Sequence, residues 1–237
     1  MPSTSNGRPR SGTRGRAPRL SSGERRRDLL RVAASLMTRH GVDAVQMAEV
    51  ATTGGVSRQL VYRFFPSRPA LLRAVLEDFS DALTREFGRH ALERLPSDVE
   101  EATRVYVDAV CDTIAAKGAG PWHLLDSKGP DREIARFGQQ IMRRLTLPWH
   151  IRISRVTGSG ERDAAIVARM LVAAARAALD LWCAGEISRE EAVRHATRGV
   201  TALLGTLPAP RSVRGARLAW RQPKRPPSTR RSARPRA

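Results

Sequence analysis

The stretch QMAEVATTGGVSRQLVYRFF, residues 46–65, predicts two short helices joined by a glycine turn. Met47, Val50 and Ala51 recur at helical spacing, so they would form one buried stripe on the first helix. The glycine pair at 54–55 follows, and glycine accepts the positive φ of a helix exit at little steric cost. The pattern therefore predicts a helix-turn-helix.

The second helix of this motif is predicted to begin after Ser57, whose hydroxyl can accept an orphan backbone N–H as an N-cap. Val61 and Phe65 lie four residues apart on one face, which suits burial. The outward face carries three long side chains that can reach a DNA groove, Arg58, Gln59 and Tyr62.

The segment from Arg25 to about Leu76 resembles the N-terminal domain of TetR-family transcriptional repressors. The residues that match the family pattern in register are Gly41, Met47, Val50, Ala51, Gly54, Gly55, Val56, Ser57, Val61, Tyr62, Phe65, Ser67 and Arg68. The match covers about a fifth of the chain with specific residues, and the remainder only by its helical character. It implies an all-α fold, with a three-helix, homeodomain-like DNA-binding domain followed by a helical ligand-binding and dimerisation bundle.

Side-chain chemistry assigns roles within the predicted DNA interface. Arg58 suits the O6 and N7 acceptors of guanine, and Gln59 can pair in bidentate fashion with adenine. The predicted backbone contacts are Gln46, Ser57, Tyr62 and Arg68, with the Arg68 guanidinium forming a charge-assisted bond to a phosphate.

Three positions depart from the family pattern. Gln46 stands where members often carry a capping threonine, and it can still donate to a phosphate. Leu60 stands where a polar phosphate contact is usual, and Phe64 where a histidine is usual. Because neither side chain donates a hydrogen bond, we expect either a compensating source of phosphate affinity or a contact between Leu60 and a thymine methyl.

Two terminal segments hold nearly all of the formal net charge of +19. Residues 1–27 contain eight arginines against Glu24 alone, and residues 208–237 contain ten Lys or Arg and no acid. Both segments are rich in Pro, Ser and Gly, which predicts a disordered arm over 1–22 and a disordered tail over 208–237. Arms of this kind track phosphates or enter the minor groove, although the segments can also serve only to solvate the protein.

The region between these segments predicts two domains, a DNA-binding domain over 23–70 and an effector-binding and dimerisation domain over 71–207. Ser21 and Glu24 predict a capping box before the first helix, and Ser67 predicts the cap of a fourth helix that links the domains. The second domain shows periodic helical segments near 98–116, 131–147, 161–184 and 188–205.

The last two of these segments carry small and apolar stripes suited to close packing. On the first the stripe is Ile166, Met170, Ala173, Ala174, Ala177 and Leu181, and on the second it is Val193, Ala196, Val200 and Leu203. In similar regulators the last two helices of each subunit form a four-helix dimer interface, so the stripes predict a homodimer that reads a palindromic operator. The alternative is that both stripes belong to the ordinary core.

An effector pocket is implied by the resemblance. Its candidate lining consists of bulky or soft side chains with a few polar neighbours, since ligand pockets are mostly apolar. The candidates are Trp122, His123, Phe137, Met142, Trp149, Met170 and Trp182, with Asp126, His150 and Cys111 as further polar partners.

Several other classes of function are disfavoured. The apolar stretch 170–182 is too short to span a bilayer, and no signal peptide is apparent, so we expect a cytoplasmic, nucleoid-associated protein without a membrane partner. Cys111 and Cys183 have the spacing of neither a disulfide framework nor a zinc site, which predicts buried thiols. No nucleophile and base motif, metal-ligand motif or phosphate loop occurs, so we expect no enzyme activity, cofactor or metal.

These observations favour a dimeric transcriptional repressor that a small-molecule effector releases from its operator by shifting the fourth helix. The alternative is a nucleoid-associated protein that coats DNA through its basic segments without an effector, and a remoter alternative is an enzyme. A coating protein would show little sequence preference, whereas a repressor leaves a discrete footprint with two-fold symmetry.

Overall fold

The computed structural model describes residues 21–93, 98–125 and 131–206, and the regular structure in these ranges is helical throughout. The predicted all-α fold class is therefore confirmed. The helices are α1 Ser22–His40, α2 Met47–Thr53, α3 Arg58–Phe64, α4 Arg68–Glu93, α5 Val99–Lys117, α6 Ala119–Leu125, α7 Arg132–Thr157, α8 Glu161–Cys183 and α9 Arg189–Gly205, with a 3₁₀ turn at Val42–Ala44. The described residues do not include the predicted arm up to residue 20 or the predicted tail, which contains Trp220. They also do not include Asp126, one of the polar residues considered for the effector pocket.

The first helix begins and ends as its sequence predicts. Ser21 and Glu24 form a reciprocal capping box, which satisfies two backbone N–H groups that α1 would otherwise leave unpaired. At the other end Gly41 has φ of 80°, a left-handed conformation that few residues other than glycine adopt at low cost. Leu29, Ala33 and Leu36 of α1 are buried against the following helices.

The helix-turn-helix is confirmed, with one correction in its turn. Gly55 has φ of 61°, whereas Gly54 has φ of −80° and lies in the right-handed region. Gly54 is required for a different reason, because a Cβ there would lie 2.9 Å from the Val50 carbonyl oxygen and 3.5 Å from Leu29 Cδ2. The first glycine therefore leaves room for the Val50 carbonyl at the end of α2, and the second turns the chain.

Helix α4 joins the two parts of the fold. Its first turn is capped by the Ser67 hydroxyl, which accepts from the Ala70 amide at 3.3 Å. The apolar stripe along it is buried and consists of Leu71, Leu72, Val75, Phe79 and Leu83. The predicted domain boundary at residue 70 falls inside this helix, so α4 belongs to both parts.

The second part is a helical bundle of α5 to α9, in which α8 and α9 form an antiparallel hairpin. The turn uses Gly185 at φ of 78°, and Ser188 and Glu191 form a capping box at the start of α9. Two features differ from prediction. The chain forms a short helix α6 that its sequence pattern does not show, and α7 continues through Pro148 to Thr157 instead of ending near residue 147.

The short helix α6 packs directly on the DNA-binding part. The Gly120 amide donates to Thr38 Oγ1 at 2.9 Å, and a Cβ at Gly120 would lie 2.6 Å from the Thr38 nitrogen. At the same end of α6, a Cβ at Gly118 would lie 2.5 Å from Thr38 Oγ1. The two parts are therefore joined by a second contact, between α1 and α6, that does not pass through α4.

Candidate DNA interface and effector region

Helix α3 presents one buried face and one exposed face. Val61 is fully buried and the C-cap residue Phe65 is 2% exposed, so this side is fixed in the core. The predicted base-reading residues Arg58 and Gln59 are exposed, and Tyr62 is 51% exposed. The three predicted side chains therefore stand together on the face of α3 that is free to enter a groove.

The N-terminus of α3 is capped by Ser57, whose hydroxyl oxygen accepts from the Leu60 amide at 3.2 Å. The hydroxyl hydrogen remains available to donate to an acceptor such as a phosphate oxygen. Its predicted backbone contact is thus compatible with capping. Arg63 is also exposed on this helix, although no DNA contact was predicted for it.

The C-terminus of α3 is held by an aromatic and cationic contact. The Arg26 guanidinium carbon lies 5.2 Å from the centroid of the Phe65 ring, which places a cation of α1 against the end of α3. Phe64 packs beside Phe65 with ring centroids 6.4 Å apart. Phe64, which departs from the family pattern, therefore contributes apolar contact at the rim of the core.

Gln46 and Arg68, both predicted to contact the DNA backbone, are engaged within the protein. Gln46 Nε2 donates to the Asp43 carbonyl at 2.9 Å, which leaves its second amide hydrogen free. Arg68 Nε donates to the Val45 carbonyl at 2.9 Å and Nη2 to the Val42 carbonyl at 2.8 Å. These two bonds use two of the five N–H donors of the guanidinium, so Arg68 is anchored to the turn before α2, and its predicted phosphate contact stays a prediction.

The stripe predicted on α8 is largely exposed in the single chain. Ile166 is 49% exposed, Met170 is 52% exposed and Leu181 is 41% exposed, although such side chains are usually buried. Ala173 and Ala177 are exposed between them, and Ala174 is partly buried. On α7, Leu147 and Ile151 are also about half exposed.

The stripe predicted on α9 is placed differently. Ala196 and Val200 are buried within the subunit, and Val193 and Leu203 are partly buried, so this stripe is core. The face of α9 that is open to solvent carries His195 and Ala202. The two alternatives for these stripes were a dimer interface and the ordinary core. The α9 stripe belongs to the core, whereas the α8 stripe does not.

The predicted effector residues differ in their burial and in their partners. Trp122 is buried and donates from Nε1 to Asp180 at 2.8 Å, with Arg176 4.6 Å from its ring centroid. His123 is exposed, and Met170 lies on the exposed α8 stripe. Phe137 lies under Arg73 at 5.6 Å. The remaining three, Met142, Trp149 and Trp182, are partly buried against the core.

An apolar cavity of about 30 Å³ lies inside the bundle between α5, α7, α8 and α9. Trp149 lines it, whereas the other six predicted residues do not. Its remaining lining is Thr103, Tyr106, Val107, Ala168, Leu171, Val172, Ala175 and Val200. Tyr106 packs edge-on against Trp149 at 5.9 Å, and burial raises the pKa of Tyr106 to about 12. Tyr106 was not among the predicted residues, because no local pattern in the sequence distinguishes a tyrosine of a cavity from one of the core.

A charged cluster connects α4, α5 and α9 on another side of the bundle. His90 Nε2 and Arg89 Nη2 each lie 2.8 Å from Asp112 Oδ2, and Arg189 Nη2 lies 2.6 Å from Asp112 Oδ1. Burial alone would raise the pKa of the Asp112 carboxyl, but the hydrogen bonds from His90 and Arg189 hold the pKa below its ordinary value. Glu86, His90 and Asp112 lie close enough to share a metal ion, but two guanidinium groups already neutralise this carboxylate. The cluster is therefore an ion-pair network.

The two cysteines are free thiols, Cys111 buried and Cys183 partly buried. Burial raises the pKa of the Cys111 thiol to about 12 and that of Cys183 to about 11, which disfavours the reactive thiolate. No helix within the described ranges is long and apolar enough to cross a membrane.

A short second helix with a buried face, a capped N-terminus and an exposed row of arginine, glutamine and tyrosine defines a DNA-binding domain of the helix-turn-helix class. The family model described as bacterial regulatory proteins, tetR family, matches residues 29–75, which include α2 and α3. Over this domain the chain is similar to TetR-family regulators, and its all-helical second part shares the fold of solved TetR-like structures.

Curated relatives are similar over part of their length. The HTH-type transcriptional activator FasR of Mycolicibacterium smegmatis is 36% identical over 113 residues, which is 48% of this chain and 50% of FasR. The HTH-type transcriptional repressor KstR of Rhodococcus jostii is 35% identical over 92 residues, which is 34% of this chain and 40% of KstR. The chain thus spans half or less of the length of these relatives.

Solved structures share the fold over most of the chain. A TetR-like transcriptional regulator from Rhodococcus sp. RHA1 aligns with a TM-score of 0.63 at 18% identity, covering 79% of this chain and all of that one. The fatty acid degradation regulator FadR of Bacillus halodurans aligns with a TM-score of 0.61 at 15% identity, covering 80% of this chain and all of that one. At these identities the likeness concerns the fold alone.

Proposed function

We propose that this protein is a sequence-specific, DNA-binding transcriptional regulator that acts as a homodimer on a palindromic operator. The observation that carries the proposal is the exposed row of Arg58, Gln59 and Tyr62 on α3, opposite a face fixed by Val61 and Phe65. A helix held in this way presents its polar side chains as a rigid unit, as direct reading of base edges requires.

The proposed contacts divide into two kinds. Arg58 and Gln59 meet base edges, and Tyr62, Ser57 and the free amide hydrogen of Gln46 meet phosphates. The basic arm supplies further phosphate affinity, since it leads directly into the capped N-terminus of α1 at Ser21. This arm is the proposed compensation for the apolar residues Leu60 and Phe64.

The exposed α8 stripe supports the proposed homodimer. Five residues, Ile166, Met170, Ala173, Ala177 and Leu181, recur at spacings of three and four, so they line one side of the helix. Their exposed small and apolar side chains allow a second copy of α8 to approach closely. A two-fold dimer would present two copies of α3 to successive major grooves, about 34 Å apart.

A footprint on DNA tests the proposed function against the coating alternative. We expect fragments selected by the protein from random DNA to share an inverted repeat, and DNase protection to cover a discrete site with half-sites one helical turn apart. Binding to the selected site is expected to exceed binding to random DNA by about 10³-fold or more at the same salt concentration. Continuous protection without a shared repeat would instead support a coating protein.

We further propose repression, with release by an apolar effector that enters the bundle beside Tyr106 and Trp149. The cavity there is almost wholly apolar, but at about 30 Å³ it is far smaller than the roughly 300–1,000 Å³ typical of ligand pockets. An effector would therefore have to separate α7 from α5. Such a movement would reach the DNA-binding part along α4 or through the contact between α1 and α6.

Reciprocal linkage tests this part of the proposal. The experiment first selects apolar small molecules that bind the protein in the absence of DNA. Each compound is then titrated into the protein–operator complex to measure its effect on operator affinity. We expect a compound that opens the bundle to weaken operator binding by about 1–3 kcal/mol, and the operator to weaken its binding equally. Compounds that bind the protein but leave its operator affinity unchanged would contradict release by an effector. Repression is tested separately, because a protein that raises the expression of a reporter gene instead of lowering it would be an activator.

A further inference from the structure

Arg68, the first residue of α4, reaches back to the turn that precedes α2. Its side chain is 25% exposed, and two of its three guanidinium nitrogens donate to backbone carbonyls 23 and 26 residues earlier. The residues between these attachment points include the whole of α2, the glycine turn and α3. The contact therefore closes a loop around the helix-turn-helix.

The carbonyls of residues 42–45 show why the turn needs this contact. The Ala44 carbonyl accepts from the Gln46 amide at 2.9 Å, and the Asp43 carbonyl accepts from the Gln46 side chain. The Val45 carbonyl accepts from Arg68, and the Val42 carbonyl accepts from both Arg68 and the Val45 amide. Val45 itself is fully buried, so its carbonyl would otherwise lie unpaired beside the core.

The geometry requires arginine rather than any cation. A guanidinium is a rigid fork that directs Nε–H and Nη–H to two acceptors at once, whereas a lysine ammonium is a single point of charge. Asp43 Oδ1 lies 3.7 Å from Arg68 Nη2, but Asp43 is 96% exposed, so water screens this ion pair. The two carbonyl bonds are thus the principal contacts of the fork.

We propose that Arg68 is a positioning residue for α3, which fixes the helix-turn-helix against α4 instead of binding a phosphate. The C-terminal end of α3 is fixed by a separate contact, because the Arg26 guanidinium stacks on the Phe65 ring. The orientation of the base-reading face relative to α4 then depends on Arg68, and so does the transfer of any movement of α4 to DNA. This proposal rests on the proposed function for its DNA readout.

The test compares Arg68→Lys and Arg68→Ala with wild type on the selected operator over a series of salt concentrations. If Arg68 positions α3, both variants are expected to lose about tenfold in operator affinity, because the retained charge of lysine does not restore the fork. The slope of log affinity against log salt should equal that of wild type, and binding to random DNA should not change. Amide hydrogen exchange should accelerate over residues 47–65 and stay unchanged over α8.

Arg85→Ala is the matched control, since Arg85 is an exposed arginine further along the same helix and is expected to leave all readouts unchanged. Rescue by Arg68→Lys, together with a slope lowered by about 0.9 in Arg68→Ala, would identify a phosphate ligand and overturn the proposal. Unchanged affinity and exchange in Arg68→Ala would also overturn it. Failure of wild type to select any operator would count against the proposed function, while the exchange measurement would still test Arg68.

Discussion

The substitution Ala177→Asp is expected to convert the proposed dimer into monomers and to remove most of the affinity for the proposed operator. Ala177 is exposed near the middle of the α8 stripe, so in the proposed dimer it would face the same stripe of the second subunit. Two carboxylates without partners would then be buried near the symmetry axis. An uncompensated buried charge costs about 3–5 kcal/mol, which corresponds to two or more powers of ten in the association constant.

The effect on DNA follows from the loss of the second half-site contact. Two linked reading heads bind more tightly than one by about 10²–10⁴-fold, so a monomer should lose operator affinity by a factor in that range. Sedimentation measures the association state, and a gel shift with one and two half-sites measures the affinity.

Ala115→Asp provides a control of the same chemistry. Ala115 is an exposed alanine within α5, away from the α8 stripe, and its substitution is expected to leave both the dimer and operator binding intact. A dimer that survives Ala177→Asp with normal operator affinity would show that the exposed stripe is not the interface.

Arg58→Ala and Gln59→Ala are expected to relax sequence preference, each at one position of the half-site. A bidentate pair with a base is worth about 1–3 kcal/mol of discrimination, so each variant should bind the operator about 5- to 150-fold more weakly while keeping its affinity for random DNA. Affinities for operators mutated at single base pairs identify which position each side chain reads.

Tyr62→Phe is the comparison that separates base reading from phosphate binding. It removes one hydroxyl and keeps the ring, so a proposed phosphate contact is lost while α3 remains in place. We expect this variant to weaken operator and random DNA by similar factors. Equal losses on both DNAs for Arg58→Ala or Gln59→Ala would refute their assignment to bases.

Residues in local patterns could be predicted because their signals act within a few residues. The capping boxes at Ser21 and Ser188 and the glycine exit at Gly55 depend on backbone groups one turn away. The burial of Val61 and Phe65 follows from helical periodicity. The helix-turn-helix and its exposed face were therefore predictable from 20 consecutive residues, 46–65.

Other features could not be predicted, because a local pattern does not identify the partner of a side chain. Helix α6 contains Gly120 and Pro121, both poor helix formers, and it forms where Trp122 and Thr38 give it tertiary contacts. The effector candidates show the same limit of a local pattern, since a tryptophan suits the core, a pocket or a subunit interface equally well. Only the packing separates Trp122, bound to Asp180, from Trp149, which borders the cavity.

The amino-acid sequence by itself determined the all-helical class, the position of the helix-turn-helix and the face of α3 that points away from the core, since periodicity, caps and glycine turns are properties of short segments. The tertiary structure alone decided that the α8 stripe is exposed while the α9 stripe is core, and that Arg68 holds the carbonyls of Val42 and Val45. Both depend on contacts between residues distant in the chain, which form only when the helices pack.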